Sequence, residues 1–408
     1  MGMWRRSWVA CVVVAALAGC SAEASEDPPS PSAPATSVPA APVAAEEFSL
    51  EVTPAAGAKD VPVSVEIGTK VAGGTVTEVT LREAGGKAVA GELRADGSGW
   101  VPGKPLKNSK GYEGTVTATD GAGAPQTREI SFTTMPKAQK ETGTGLYLFD
   151  GNTYGVAMPV VVEFHPGIKA KDRAGVQKRM FVDSDPPQPG TWHWVSNGSQ
   201  AYYRAPDFWQ AGTKLSVRIA VGGHPTGGGR YGDQDRSATV EIGRDLRMAV
   251  DNRTKKMVVT QDGAVVRTMP VSLGKKSTPS SSGTMVVMEK KESTVFDTTD
   301  ETGPNVDRYR IDIDLAQRLT WGGEYIHSAP WSVGDQGRRN VSHGCVNLSP
   351  SNARWLFDRT KVGDPITVKG TERRLVSGNG WTAWDLTWDE FKKGSALPVP
   401  DDLAPKAA

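Results

Sequence analysis

Tyr112-Glu113-Gly114-Thr115-Val116-Thr117-Ala118 sets apolar or small residues at every second position, with polar ones between them. Side chains of a β-strand point alternately to opposite faces, so this run reads as a strand with one face buried. Upstream, Val76-Thr77-Glu78-Val79-Thr80-Leu81 and Val61-Pro62-Val63-Ser64-Val65-Glu66-Ile67 have the same character, and Gly, Asp and Pro clusters separate the runs. Short alternating strands punctuated by turn residues predict an antiparallel sandwich of immunoglobulin-like type over residues 47–136, without a disulfide across it.

The pattern returns over 137–245 in Val160-Val161-Val162-Glu163-Phe164 and in Lys214 to Val221, which predicts a second sandwich. Trp192, Trp194, Tyr202, Tyr203 and Trp209 are expected in its core. His165, His193 and His224 have no nearby carboxylate or cysteine pattern and read as structural or surface residues. The glycine-rich stretch 222–232 lacks the Lys-Ser/Thr of a phosphate loop and reads as a flexible hairpin tip.

A third unit, 246–370, opens with Met257-Val258-Val259-Thr260, the turn Gln261-Asp262-Gly263, and Ala264-Val265-Val266-Arg267, a strand–turn–strand pattern. Residues 283–308 are polar, with few apolar anchors, and predict a long mobile hairpin or lid. Arg310 to Leu315 alternates again. Ser349-Pro350 suits the cap and first position of a helix running to Lys361, with Gly363 as its stop. The expected fold is therefore mainly β, with one short helix in the third unit. The stretch 371–408 carries Trp381, Trp384, Trp388 and Phe391, and is expected to fold back as an aromatic brace on that unit.

Composition agrees with a folded, turn-rich chain. The 408 residues exceed one ordinary core, and 28 prolines and 46 glycines favour short strands over long helices. A net charge of +1 gives no electrostatic case for a nucleic-acid partner.

At the N-terminus, Arg5 and Arg6 precede an apolar run from Val9 to Ala18, too short to span a bilayer comfortably. Leu17-Ala18-Gly19-Cys20 resembles the lipobox of bacterial lipoproteins, which implies a signal peptide at 1–19 and lipidation of Cys20; a plain secretory signal is the alternative. Either exports the chain. Loss of 1–19 removes Arg5 and Arg6 and takes the charge from +1 to −1. Residues 20–46, rich in Pro, Ala, Ser and Glu, read as a disordered tether. Of three cysteines, Cys11 leaves with the signal and Cys20 is acylated, so Cys345 stands alone in an oxidising compartment.

Around that thiol lies the densest signal: Tyr325-Ile326-His327-Ser328-Ala329-Pro330-Trp331, then Asn340-Val341-Ser342-His343-Gly344-Cys345-Val346-Asn347. An ordinary thiol has a pKa of about 8.5, and a histidine that accepts its proton makes it a nucleophile. His343 is awkwardly close in sequence, whereas His327 can approach from a separate segment. Gly344 permits a backbone that turns its own and the following amide towards an oxyanion. Asn347 could fix a local turn. A three-ligand zinc site from Cys345, His343 and His327 is the rival chemistry, though no CxxC or HExxH spacing supports it. A buried structural cysteine is another alternative, and a papain-like enzyme would place its cysteine before its histidine.

This constellation resembles the L,D-transpeptidases, whose signature is a histidine followed downstream by Ser/Thr-His-Gly-Cys-hydrophobic-Asn. Ser342 to Asn347 completes it without departure, and the exported, two-sandwich layout with a Trp-rich extension resembles actinobacterial members. The resemblance implies a catalytic set of Cys345, His327, His343 and Gly344. Cys345 is then the nucleophile that releases D-Ala from a stem peptide as a thioester, and His327 is the base, oriented by the Ser328 carbonyl. His343 and Asn347 structure the site, and the amides of Gly344 and Cys345 with the Tyr309 hydroxyl hold the oxyanion. Tyr309, Ser328, Trp331, Ser342 and Asn347 form the implied substrate-binding set, with Trp331 lining the pocket.

Implied partners are peptidoglycan tetrapeptide stems as donor and acceptor, the membrane through Cys20, and carbapenems as covalent inhibitors. No cofactor and no metal are expected. The implied location is the outer face of the cell membrane, facing the wall. An L,D-carboxypeptidase, with water as acceptor, is the alternative within enzymes; a non-catalytic wall-binding lipoprotein is the alternative outside them.

Overall fold

The computed structural model describes residues 47–300 and 308–406. The expected signal at 1–19, the lipidation site Cys20 and the tether at 20–46 lie outside the described residues.

Strand Gly111–Asp120 lies between Pro125–Thr134 and Gly74–Glu83, with Ala58–Val61 at the far edge. The companion sheet runs Ser49–Thr53, Ile67–Ala72, Gly99–Pro102 and Gly91–Leu93. Tyr112, Val116 and Ala118 are buried in one cluster with Ile67, Trp100 and Phe132. Gly114 interrupts the large residues of that face because a Cβ there would strike the Thr80 carbonyl of the neighbouring strand. Val76, Val79 and Leu81 are not spaced by two throughout. A bulge between Val76 and Glu78 absorbs the slip. The run 61–67 is not one strand: the chain leaves one sheet after Val61 and enters the companion sheet at Ile67, and Val65 N turns back to the Pro62 carbonyl at 2.9 Å. Pro62 has no N–H to continue a ladder.

A second pair of sheets follows. Four strands run Thr153–Tyr154, Arg236–Ile242, Lys214–Ile219 and Met180–Asp185. Six run Thr191–Trp194, Gln200–Arg204, Val160–His165, Glu141–Leu146, Arg230–Gly232 and Pro225–Gly227. The five aromatics Trp192, Trp194, Tyr202, Tyr203 and Trp209 are buried in its core. The glycine-rich stretch forms a hairpin whose Arg230–Gly232 strand pairs parallel with Glu141–Leu146. At the junction with the first pair, Glu66 accepts from Arg94 Nε at 2.9 Å and also pairs with Arg179. Burial alone would raise the Glu66 carboxyl, but the bonds from Arg94 and Arg179 outweigh it and hold it below the usual range.

The third unit has a six-stranded sheet ordered Ala264–Pro270, Lys256–Gln261, Leu246–Asp251, Pro365–Lys369, Ser281–Val286 and Arg373–Arg374. Asp262 and Gly263, with φ of 51° and 84°, make the two-residue turn of its first hairpin. A four-stranded sheet runs Glu289–Asp297, Arg310–Arg318, Tyr325–Ser328 and Val346–Leu348. The segment expected as a long mobile hairpin or lid forms a hairpin arm: Glu289–Asp297 is laddered antiparallel along Arg310–Arg318, with mostly polar residues at its exposed positions. Ser349 caps the helix Pro350–Phe357, its hydroxyl accepting from Asn352 N. The helix ends at Phe357, short of Lys361, because the Thr360 hydroxyl bonds back to the Leu356 carbonyl and closes the last turn.

The C-terminal stretch corrects the expectation of a brace on the third unit alone. Trp381, Trp388 and Phe391 are buried in the core of the second sandwich. Arg204, only 2 % exposed, explains the attraction. Its guanidinium donates to the carbonyls of Ala383 and Leu386 and stacks on Trp384 and Phe391, so the extension satisfies a buried cation. The same stretch also reaches the third unit, where Arg373–Arg374 pairs parallel with Ser281 and Ser282.

Candidate active site

Strands Tyr325–Ser328 and Val346–Leu348 pair in parallel, with His327 opposite Asn347 and Ile326 opposite Val346. Alternation puts His327 and Asn347 on one face, and Cys345 enters just before the second strand. The turn that delivers the thiol is closed by Ser342. Its hydroxyl donates to the Cys345 carbonyl at 2.7 Å and accepts from the Gly344 amide at 3.2 Å. Gly344 has φ +127°, a conformation that disfavours any side chain, and its carbonyl accepts from the Ser280 hydroxyl at 2.6 Å. In this structure the Gly344 amide is held by Ser342.

His327 is 4 % exposed, and its Nδ1 lies 2.8 Å from the Ser328 carbonyl. A carbonyl can only accept, so Nδ1 carries the proton and Nε2 the lone pair. Burial pushes the His327 pKa down, partly opposed by the bond to Ser328, so the ring is neutral at pH 7. Cys345 is 8 % exposed and its thiol donates to the Gly323 carbonyl at 3.7 Å. Burial, reinforced by the nearby Glu324 charge and opposed by the Tyr325 amide, pushes the thiol pKa up to about 12. The resting pair is thus a neutral thiol and a neutral imidazole, not a thiolate–imidazolium pair.

Cys345, His327, His343, Tyr309, Trp331, Ser342 and Asn347 all line one cavity of about 560 Å³. Trp331, 54 % exposed, stands on its rim with its ring 6.0 Å from that of His327. Tyr309 packs on His343 at 5.2 Å between ring centres, and Lys275 Nζ lies 3.1 Å from His343 Nε2. Ser328 contributes its backbone carbonyl, as described. Asn347 Nδ2 donates to Ser332 Oγ at 3.1 Å, which ties the strand of the thiol to the turn after His327.

Several participants escaped sequence reading. Phe296, from strand Glu289–Asp297, packs at 4.6 Å on Tyr325 and edge-on to His327 at 5.7 Å, forming a cavity wall. Gln336 donates to Ser332 Oγ and the Ala329 carbonyl beneath the histidine. Glu324 and Ser280 brace the turn from behind. None belongs to a motif; only the strand pairing brings them in. Among the described residues, no group of three His, Cys, Asp or Glu side chains is placed to hold a metal ion.

A family model described as Bacterial Ig domain matches residues 58–225, and one described as L,D-transpeptidase catalytic domain matches 245–368. L,D-transpeptidase 2 of Mycobacterium tuberculosis is 34 % identical over 345 residues, 83 % of each chain. L,D-transpeptidase 5 of the same species is 33 % identical over 365 residues, 86 % of this chain and 78 % of that one. A solved structure of the L,D-transpeptidase LdtMt1 in complex with imipenem aligns at 36 % identity with a TM-score of 0.47, covering 56 % of this chain and 99 % of that one. With the catalytic-domain match and relatives aligned over most of their length, the chain belongs to the L,D-transpeptidase family.

Proposed function

We propose that this enzyme cross-links peptidoglycan stem peptides through a thioester on Cys345. The Cys345 sulfur attacks the carbonyl carbon between the third stem residue and the terminal D-Ala. His327 Nε2 takes the thiol proton and passes it to the departing amine as the C–N bond breaks, which releases D-Ala and leaves the thioester. The side-chain amine of the third residue on a second stem then attacks. It loses its proton to His327, the C–S bond breaks, and the proton returns to sulfur. The amides of Gly344 and Cys345 and the Tyr309 hydroxyl serve the oxyanion, while Ser342, His343, Trp331 and Asn347 shape the site. The single observation that carries this reading is the fixed tautomer of His327, whose Nδ1 bond to the Ser328 carbonyl leaves Nε2 as a base in the cavity of the thiol.

Incubating the full-length chain in detergent with disaccharide tetrapeptide, and weighing the products by mass spectrometry, tests the assignment. A cross-linked dimer with one D-Ala lost is the expected product. Tripeptide without dimer would establish hydrolysis, and absence of D-Ala release would sink the reading.

The same nucleophile is proposed as the site of acylation by carbapenems. Lipidation of Cys20 is proposed to hold the enzyme at the outer membrane face, the stretch 20–46 serving as tether. Cys20→Ser is expected to move the chain from the membrane to the soluble fraction of the producing cell. Persistence in the membrane fraction would count against the anchor.

A further inference from the structure

Behind the nucleophile lies a carboxylate that the signature does not contain. Glu324 is 4 % exposed, and a buried carboxylate needs partners. It has them: Ser281 donates to it through its backbone N–H at 3.1 Å and its hydroxyl at 2.8 Å, and Arg373 pairs with it. Arg373 belongs to the C-terminal stretch, so the extension reaches to the rear of the active site.

Glu324 closes a tight loop. Its own N–H donates to Thr320 Oγ1 at 3.0 Å, and its carbonyl accepts from Leu319 N at 2.8 Å. Within the loop, Gly322 N donates to Asn379 Oδ1 at 2.8 Å, a second tie to the extension. The residue just before Glu324 is Gly323, whose carbonyl receives the Cys345 thiol. The Glu324 side chain also lies under the turn of the nucleophile, its Cγ 3.6 Å from where a Cβ on Gly344 would stand. The loop is thus fixed through one charged side chain, and what it presents to the sulfur is an acceptor of the thiol hydrogen.

We infer that Glu324 is a positioning residue for the reaction: clamped by Ser281 and Arg373, it holds the Gly323 carbonyl on the Cys345 thiol and keeps the proton on sulfur until substrate enters. Its charge acts in the same sense as its geometry, since a nearby anion disfavours a thiolate, and Arg373 offsets that charge. A protonated thiol is a poor target for oxidants and stray electrophiles, which suits a lone cysteine outside the cytoplasm. The inference rests on Cys345 being the nucleophile, a reading that turnover by Cys345→Ala decides separately.

The test is the rate at which iodoacetamide alkylates Cys345 in the full-length chain, followed at pH 6–10 by mass spectrometry of the Cys345 peptide. Glu324→Gln preserves shape and removes the charge; alkylation at pH 7 is expected to rise about tenfold as the thiolate fraction grows. Arg373→Gln leaves the carboxylate uncompensated, so alkylation is expected to fall several-fold, and Arg373→Lys is expected to restore it. A purely structural role would shift both glutamine variants the same way. Equal signs, or rates unchanged in both, would overturn the inference. If Glu324→Gln fails to fold, the Arg373 pair decides it: no drop in Arg373→Gln, or no recovery in Arg373→Lys, has the same force.

Discussion

Replacing Cys345 with alanine is expected to abolish D-Ala release, a loss of at least about 10⁴-fold, because the sulfur that carries the acyl group is gone. Stability should hardly move. The sulfur sits in a small buried cluster with Ile313, Ala316 and Tyr325, and deleting that one atom costs about 1 kcal/mol. The two effects therefore separate cleanly: thermal unfolding within a few degrees of the parent, with no turnover. Intact-mass spectrometry after exposure to a carbapenem gives an independent readout. The parent is expected to gain one covalent adduct and the variant none. Turnover, or an adduct, in the alanine variant would remove Cys345 from the role of nucleophile.

How much of this site could be read from the sequence depended on whether each residue announces itself locally. The thiol, the two histidines, Ser342 and Asn347 fall in two short segments, and a thiol with two histidines in so short a span stands out chemically. Their joint appearance on one cavity follows from a parallel pairing of two short strands. Glu324, Ser281 and Arg373 are ordinary residues in sequence. They meet because Arg373 pairs beside Ser281 at a sheet edge, and no periodicity encodes that register. Gly344 was legible as a special backbone position, while the bond from its amide to the Ser342 hydroxyl was not. At 283–308 polarity signalled the hairpin that Glu289–Asp297 makes with Arg310–Arg318, but misled on its regularity. A strand exposed on one face, and paired along its edge, is as poor in apolar residues as a mobile loop. The aromatic extension misled differently: its tryptophans correctly signalled burial, yet their target was set by Arg204, a buried cation 177 or more residues away in the chain.

Removal of the base gives the second large effect. His327→Gln keeps a side chain of similar size but supplies no nitrogen lone pair to take the thiol proton, and acylation at pH 7 is expected to fall about 10³-fold. The pH dependence states the mechanism more sharply than the loss. In the parent, burial holds the His327 pKa below its ordinary 6.5, so the base form dominates at and above that pH and fades only below it. The thiol, pushed up to about 12, contributes no titration between pH 7 and 9. Acylation by a carbapenem is therefore expected to be flat from about pH 6.5 to 9 and to fall on the acid side as His327 gains a proton. In His327→Gln only the rare thiolate can react, so its residual rate should lose the acid limb and climb about tenfold per pH unit across the same range. A preformed thiolate–imidazolium pair would raise the histidine pKa and lower that of the thiol. The parent rate would then persist well below pH 6 and decline as the imidazolium lost its proton. Stopped-flow acylation of both proteins from pH 5 to 9 distinguishes the two: a parent profile without an acid limb, or a variant within tenfold of the parent at pH 7, would show that His327 is not the base.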